Sequence, residues 1–280
     1  MKNFETVITS KHKLFSLNLR ETWKYRDLIW LHTKRSFSVT YKQTILGPAW
    51  MFINPFISSL IYAFVFGGIA GISTDGAPQL LFYMGGNAVW SFFASCLTKT
   101  AGTFTENSHT FGKVYFPRLT MPIATMLFSA INFAIQMLLF LAFWGYYIAT
   151  GAVTPNYLAL PMLIPVLLQL GCLSMGCGII ISSLTTKYRD LAILVTFGVQ
   201  LWMYITPVVY PMSTIGDGWM RTIIMLNPVT SGVEAFRYIF LGSGMIDPFW
   251  WLITSVVTLI VLVCGIILFN KVEKTFMDTV

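Results

Sequence analysis

Five intervals of this chain carry no charged residue, and each is long enough to cross a bilayer as a helix. They run 43–74, 76–98, 119–186, 191–216 and 248–270. A spanning helix needs about 20 predominantly apolar residues. The 119–186 interval has room for two such helices, and Thr154-Pro155-Asn156 interrupts it near the middle. Six spans are therefore predicted, near 51–71, 79–97, 120–149, 160–184, 191–211 and 249–269. In lipid every backbone N–H and C=O must be satisfied within its own segment or in a closed barrel. The runs are continuous and rich in Leu, Ile and Phe, not alternating ten-residue strands, so a β-barrel is excluded. The fold class expected is an all-α integral membrane protein. Only 10% of residues are charged, against about 25% in an ordinary soluble domain.

Lysine and arginine set the orientation. Nine lie before residue 50, three in the connection near 98–118, two in the turn at 185–190 and two after residue 270; only Arg221 and Arg237 fall on the other side. The positive-inside rule then places both termini in the cytoplasm. It also accounts for the net charge of +7 through topology and attraction to anionic lipid, without any nucleic acid. The first 50 residues are too polar for a signal peptide, so the first span is expected to act as the insertion signal. Cys96, Cys172, Cys177 and Cys264 all fall in predicted spans, with no C-x-x-C pair, and read as small packing residues and not as metal ligands.

The polar arm divides in two. Residues 1–18 show no strong pattern and are expected to form a flexible extension. Over 19–47 the pattern is helical: Leu19, Trp23, Trp30, Phe37 and Tyr41 share one stripe, and Lys24, Arg26, Lys34 and Arg35 lie largely off it. A basic helix with Trp on its apolar side suits the membrane interface; a helix packed on a partner gives the same pattern. Gly47-Pro48 then ends it, since Pro cannot continue an upstream helix but sits well in the first turn of a new one. A six-helix unit over 48–270 and a cytoplasmic tail over 271–280 complete the predicted organisation.

Neutral polar stripes mark several spans: Asn54, Ser58 and Tyr62; Asn87, Ser91 and Ser95; Ser129, Asn132 and Gln136; Thr196, Gln200 and Tyr204. Such residues either bond neighbouring helices or line a pathway. Ser174, Gly178 and Ser182 have the spacing of a close helix contact. No Asp, Glu, Lys, Arg or His lies inside a predicted span, so the titrating group that ion-coupled carriers use is missing. No phosphate-binding loop is present, Gly112-Lys113 being the nearest fragment. Energy for uphill movement would have to come from a separate subunit. Two turns, Lys99–Arg118 and Thr185–Asp190, are candidate docking points for it.

Residues 212–247 are too many for a plain turn. Trp219–Leu226 is amphipathic and Asn227-Pro228 breaks it. Ser231 and Glu234 then read as a capping box opening a second short helix, with Gly242 at its end. Glu234 and Arg237, three apart, are expected to pair at the surface. Two short re-entrant helices between spans five and six are predicted.

Four blocks carry a resemblance in order and spacing: YKQTILGPAW; KVYFPRLTMP; SSLTTKYRDL followed by QLWMYITPVVYP; and LNPVTSGVEAFRYIFLG. Together they resemble the membrane subunit of ABC-2 type polysaccharide exporters. The O-antigen lipopolysaccharide export permease is the closest type, with teichoic-acid and capsule permeases as cousins. The likeness covers about residues 25–269. It implies a half-transporter: a homodimer forms the channel, and two separate nucleotide-binding subunits hydrolyse ATP with Mg, so this chain has no catalytic residue, metal or cofactor of its own. The implied substrate is a glycan on a polyprenyl-pyrophosphate lipid, and the implied location is the cell inner membrane.

The resemblance also assigns roles. The arm becomes an interfacial gate helix, with Arg26, Lys34, Arg35 and Lys42 where a pyrophosphate would enter and Gly47 and Pro48 as its hinge. The connection near 100–115 becomes a coupling helix carrying Glu106, His109, Lys113 and Arg118. Glu234 and Arg237 sit on the external re-entrant helices. Sugars offer CH-rich faces to aromatic rings and hydroxyls to neutral polar groups, so Asn54, Ser58, Tyr62, Phe66, Gln200, Trp202 and Tyr204 are the expected channel lining. Other possible roles are export of a small hydrophobic compound, or a lipid-modifying enzyme. The enzyme would need an interfacial acid or metal site, and the sequence offers none.

Overall fold

The computed structural model describes residues 19–42, 44–107, 116–185, 188 and 190–279, with side chains described between 21 and 272. The expectation for residues 1–18 lies outside this set. Every regular element among the described residues is helical. The arm is α1 (Leu19–Lys24) and α2 (Arg26–Tyr41); then come α3 (Trp50–Tyr62), α4 (Gln79–Ala101), the short α5 (Thr103–Glu106), α6 (Thr120–Ala149), α7 (Leu163–Thr185) and α8 (Leu191–Ile205). The remaining helices are α9 (Trp219–Leu226), α10 (Pro228–Leu241) and α11 (Pro248–Thr279), which runs on through the predicted tail.

Five stretches are long and apolar enough to cross a membrane: Gly47–Ile69, Gln79–Ala101, Thr120–Ala149, Tyr157–Thr185 and Pro248–Val272. They match five of the six predicted spans to within a few residues. The exception is α8, which has 15 residues. At 1.5 Å per residue it rises about 22 Å, short of a hydrocarbon core of about 30 Å. Pro207 explains where it stops. A proline disfavours helical backbone in the residue before it, and Thr206 is extended at φ −90, ψ 138.

α4 is the axle of the bundle. Residues 81–90 are all buried, and α4 packs against α3, α6, α7 and α10. The small residues of α7 set the closest approaches. A methyl group on Gly178 would stand 2.5 Å from Thr100 Cβ, and one on Gly176 would stand 2.9 Å from Leu262 Cα on α11. Ser182 Oγ accepts a bond from Phe104 N at 3.2 Å, which ties α5 down. The small-residue spacing on α7 is thus a contact face, as predicted.

The segment after α8 is non-helical yet buried, Thr206 to Val209 inclusive, and its polar groups are met by side chains from α10 and its start. Arg237, 1% exposed, donates to Val208 O at 2.9 Å and Tyr210 O at 3.2 Å. It also pairs with Glu234 Oε1 at 2.9 Å and lies over the Phe82 ring at 3.7 Å. Glu234 Oε2 accepts from Met245 N at 3.2 Å. Tyr210 O–H donates to Tyr204 O and Ile205 O, both at 3.2 Å, closing the end of α8. Asn227 Nδ2 donates to Thr206 Oγ1 at 2.8 Å. Gly86 makes room: a methyl group there would meet Val208 O at 2.7 Å. Burial pushes the Glu234 carboxyl up and the Arg237 guanidinium down, and each partner opposes the other's shift.

Two expectations are corrected here. Glu234 and Arg237 form a buried ion pair, not a surface one, because the guanidinium is needed by backbone carbonyls inside the fold. There is also no capping box at Ser231. α10 starts earlier, with Asn227 as N-cap accepting from Val229 N at 3.1 Å and Pro228 in the first turn. Ser231 Oγ donates to Pro228 O at 2.9 Å. Breaking a buried ion pair by removing one partner costs about 3–5 kcal/mol. Arg237→Met should therefore lower the melting temperature of the detergent-purified protein sharply. Arg237→Met with Glu234→Gln should lose less than the two single changes added together.

Candidate functional site

The arm is joined to the bundle along α2. Thr33 Oγ1 donates to Ala124 O of α6 at 3.3 Å, and Phe37 meets the Phe128 ring at 4.6 Å. The inward face is Thr22, Ile29, Thr33 and Phe37, while Trp23 and Trp30 are 68% and 48% exposed. The predicted stripe is thus split. The backbone breaks at Tyr25 between α1 and α2 without a change of phase, since Thr22 and Ile29 both face in and Trp23 and Trp30 both face out. Small hydroxyl residues let α2 approach α6 closely, which leaves the indoles outside. Burial, helped by Arg35, lowers the pKa of His32, whose ring lies 6.1 Å from Phe116. Arg26, Lys34, Arg35 and Lys42 are all exposed, with Lys34 Nζ 5.4 Å from the Trp30 ring centre.

At the bend Gly47 takes φ +51, a left-handed conformation that favours glycine. Pro48 follows inside a 3₁₀ turn, Gly47–Ala49, that leads into α3. Pro55 sits inside α3, and its carbonyl accepts from Asn87 Nδ2 at 3.3 Å and Ser59 Oγ at 2.7 Å. Beyond Tyr62 the helix widens to a π-helix over Ala63–Ile69. Such segments are rare and concentrate at functional positions.

Between the end of α2 and α3, α4 and α6 lies a cleft of about 290 Å³. Its polar wall consists of Asn54 and Ser58 from α3, Asn87, Ser91 and Ser95 from α4, and Ser129, Asn132 and Gln136 from α6. Tyr41, Trp50 and Phe128 supply rings. Lys99 lines it too, its ammonium 4.2 Å from the centre of the Phe128 ring. From Lys99 to Asn87 the wall extends about 18 Å along α4 at 1.5 Å per residue. Some of its groups satisfy one another. Ser91 Oγ donates to Asn87 Oδ1 at 3.5 Å, and Ser95 Oγ meets Ser129 Oγ at 3.3 Å. Asn132 Oδ1 and Gln136 Oε1 are buried and have no partner.

Three of the four predicted polar stripes thus converge on one cleft. The fourth does not: Gln200 and Tyr204 are exposed on α8, whereas Trp202 is packed, its indole N–H donating to Asn227 Oδ1 at 3.1 Å and its ring 5.1 Å from Phe93. Tyr62 and Phe66 stand 5.9 Å apart at the α3–α8 contact, where Tyr62 O–H reaches Met203 Sδ at 3.7 Å. Glu106 is exposed and Arg118 half-buried; His109 and Lys113 lie outside the described residues. Lys99 is the residue that sequence reasoning assigned to topology and to the start of a docking turn, and not to the cleft. Its signal was present, since it continues the Asn87, Ser91, Ser95 series at the same spacing of four. At the opposite end of the bundle a wider apolar groove of about 870 Å³ is lined by Tyr204, Tyr210, Trp219, Ile223 and residues 70–73.

Asn87 joins α3 to α4, and interhelical bonds of this kind contribute about 0.6 kcal/mol and at most about 1.7. Asn87→Leu should lower the melting temperature in detergent, and by much less than Arg237→Met.

Comparison with known proteins places these features in context. The family model described as ABC-2 type transporter matches residues 27–241. Two proteins of Klebsiella pneumoniae, each named O-antigen export system permease protein RfbA, are 26% and 28% identical over 252 and 254 residues, in both cases 90% of this chain and 94% of the relative. A protein of the same name from Myxococcus xanthus is 25% identical over 263 residues, 94% of this chain and 98% of the relative.

Proposed function

The chain belongs to the ABC-2 type transporter family, and on that premise we propose that it is the membrane subunit of an ATP-driven exporter. Its substrate is a polyprenyl-pyrophosphate-linked polysaccharide of the O-antigen type, moved from the cytoplasm to the outer face of the cell membrane. The observation that carries this reading is the cleft: a neutral amide- and hydroxyl-lined wall beside an interfacial arm, in a protein whose relatives are named as O-antigen export permeases. A glycan that must slide needs many weak contacts and not one tight site, as in other pores.

The finer architecture follows the same reading. Two copies of the chain form the channel, and two nucleotide-binding subunits supply ATP and Mg chemistry beneath it. Both termini are cytoplasmic, in the inner membrane. The chain crosses six times, α8 making the fifth crossing together with the non-helical residues 206–211. Non-helical backbone at membrane depth is tolerated where it is buried in protein, and the Arg237 bonds to Val208 and Tyr210 provide that environment. α9 and α10 are the external re-entrant helices. Asn54 and Ser58 meet the substrate at the cleft, and Tyr62, Phe66, Gln200 and Tyr204 continue its path along α3 and α8 toward the outer groove. The arm is the gate, hinged at Gly47-Pro48, and its exposed Arg26, Lys34, Arg35 and Lys42 meet anionic headgroups. α5 and the connection behind it, from Glu106 through His109 and Lys113 to Arg118, couple to the ATPase.

A second reading, export of a small hydrophobic compound, draws support from the apolar groove near Trp219. ATPase stimulation separates the two. Co-purification with the ATP-binding product of the adjacent gene should yield a complex whose ATPase activity rises with lipid-linked glycan. Stimulation by small hydrophobic compounds alone would favour the second reading, and failure to bind any ATPase would overturn both.

The hinge makes a further prediction. A non-glycine residue in the left-handed region costs about 1–2 kcal/mol, and 1.4 kcal/mol is about tenfold in an equilibrium. Gly47→Ala should slow export several-fold in a glycan surface-display assay while the ATPase subunit stays bound.

A further inference from the structure

The arm is seated on the bundle by neutral contacts. α2 packs on α6, and α6 has no charged residue. Ile29 is buried in the seam, Thr33 Oγ1 reaches Ala124 O and Phe37 lies on Phe128. Tyr25 and Leu28 join the apolar cluster of Phe104, Phe116 and Phe269. Among the described residues no ion pair ties the arm to the bundle. Within this seam His32 is the side chain whose ordinary titration falls near neutral pH. Its ring lies 6.1 Å from the Phe116 ring, and its Nε2 is buried without a partner.

The seam accepts a neutral imidazole and offers nothing to a charged one. Burial and the nearby Arg35 both oppose a proton on His32. On the same helix Asp27 is five residues back, turned away by about 140° at 3.6 residues per turn, and exposed. Glu21 of α1 is roughly 16 Å away along the axis at 1.5 Å per residue. Arg118 stands just before α6, and the chain has no Asp or Glu from 107 to 189. From the neighbouring cluster, α5 brings Glu106, exposed and interacting with Lys99, and α11 brings Lys271, also exposed. A proton on His32 is thus a part-buried charge with a cation beside it and no counter-ion in reach, an arrangement that costs heavily unless the group leaves the seam.

We propose that His32 is a proton-operated latch, neutral when α2 is seated on α6 and lifting the arm off when it gains a proton. Released into water, the imidazole has its ordinary pKa of about 6.5. In the seam it binds the proton less readily. Seating is therefore at full strength above about pH 6.5 and weakens as the pH falls below it, by at most about tenfold per pH unit. The latch stands on the seam alone; its use in opening a gate rests on the export reading.

The test follows the distance between arm and bundle in the full permease–ATPase complex, in nanodiscs of phosphatidylcholine and phosphatidylglycerol without nucleotide. Spin labels are attached to ketone-bearing residues introduced at Leu31 and Leu127, both exposed, so that the four cysteines stay as they are. Pulsed EPR should give one seated distance at about pH 7.5 and an added, longer population at about pH 5.5, the ratio of seated to released arms falling several-fold and at most about tenfold. His32→Gln, neutral at both pH values, should stay seated at both. His32→Lys, charged at both, should be released at both. A wild-type distance that is the same at the two pH values overturns the latch. Release at the lower pH that persists in His32→Gln assigns it to another group and overturns the latch as well. A second label pair at Leu127 and Leu259, also exposed, reports on α6 and α11 and should not move; if it does, the release is unfolding and the latch falls. Because distance and not export is read, a chain that frees its arm on protonation but exports no glycan sinks the export reading and leaves the latch standing.

Discussion

The guanidinium of Arg237 is the interaction on which the upper half of the bundle depends. A charge buried to 1% exposure needs strong compensation, since the effective penalty for taking an ion out of water is several kcal/mol. Here it is met on three sides: Glu234, the carbonyls of Val208 and Tyr210, and the Phe82 ring. The carbonyls are the reason for the charge. α8 stops at Ile205, and the non-helical chain behind it would bury acceptors that have no helical partner. A single planar group with several N–H donors can satisfy two of them and still hold a carboxylate; lysine, with one ammonium, lacks that fork geometry. The α8 end, the α10 start and the glycines of α4 are therefore one unit.

The opposite half is built on the contrary principle. Among the described residues around the cleft there is no ion pair, and neutral side chains make single hydrogen bonds there, each contributing about 0.6 kcal/mol. Pro55 loosens α3, Gly47 bends the chain, and a π-helix ends the span. The bundle thus divides into an end joined by a buried ion pair and an end joined by single hydrogen bonds, with α4 running through both.

Much of this was legible in the sequence. Charge-free intervals located five spanning helices to within a few residues, and periodic polar residues marked three walls of the cleft. The errors have physical causes. The interval 191–216 is apolar enough to span, yet Pro207 ends its helix after 15 residues, and hydropathy does not register that break. Ser231 and Glu234 have capping-box spacing, but Asn227-Pro228 is an equally good start four residues earlier, and the need to cover Val208 draws Glu234 and Arg237 inward. That need is set by residues some 30 positions away in sequence. The arm's stripe was misread because the close approach of Thr33 to Ala124 is a tertiary event. Which stripes face one another is likewise a matter of packing, so Gln200 and Asn54 looked equivalent until the helices were assembled.

Lys99 carries the consequence of that assembly furthest. In the sequence it ends a span and counts toward topology, as any basic residue at a helix end does. In the fold it stands on the same face as Asn87, Ser91 and Ser95, so the gradient from neutral depth to cationic mouth is built into one helix.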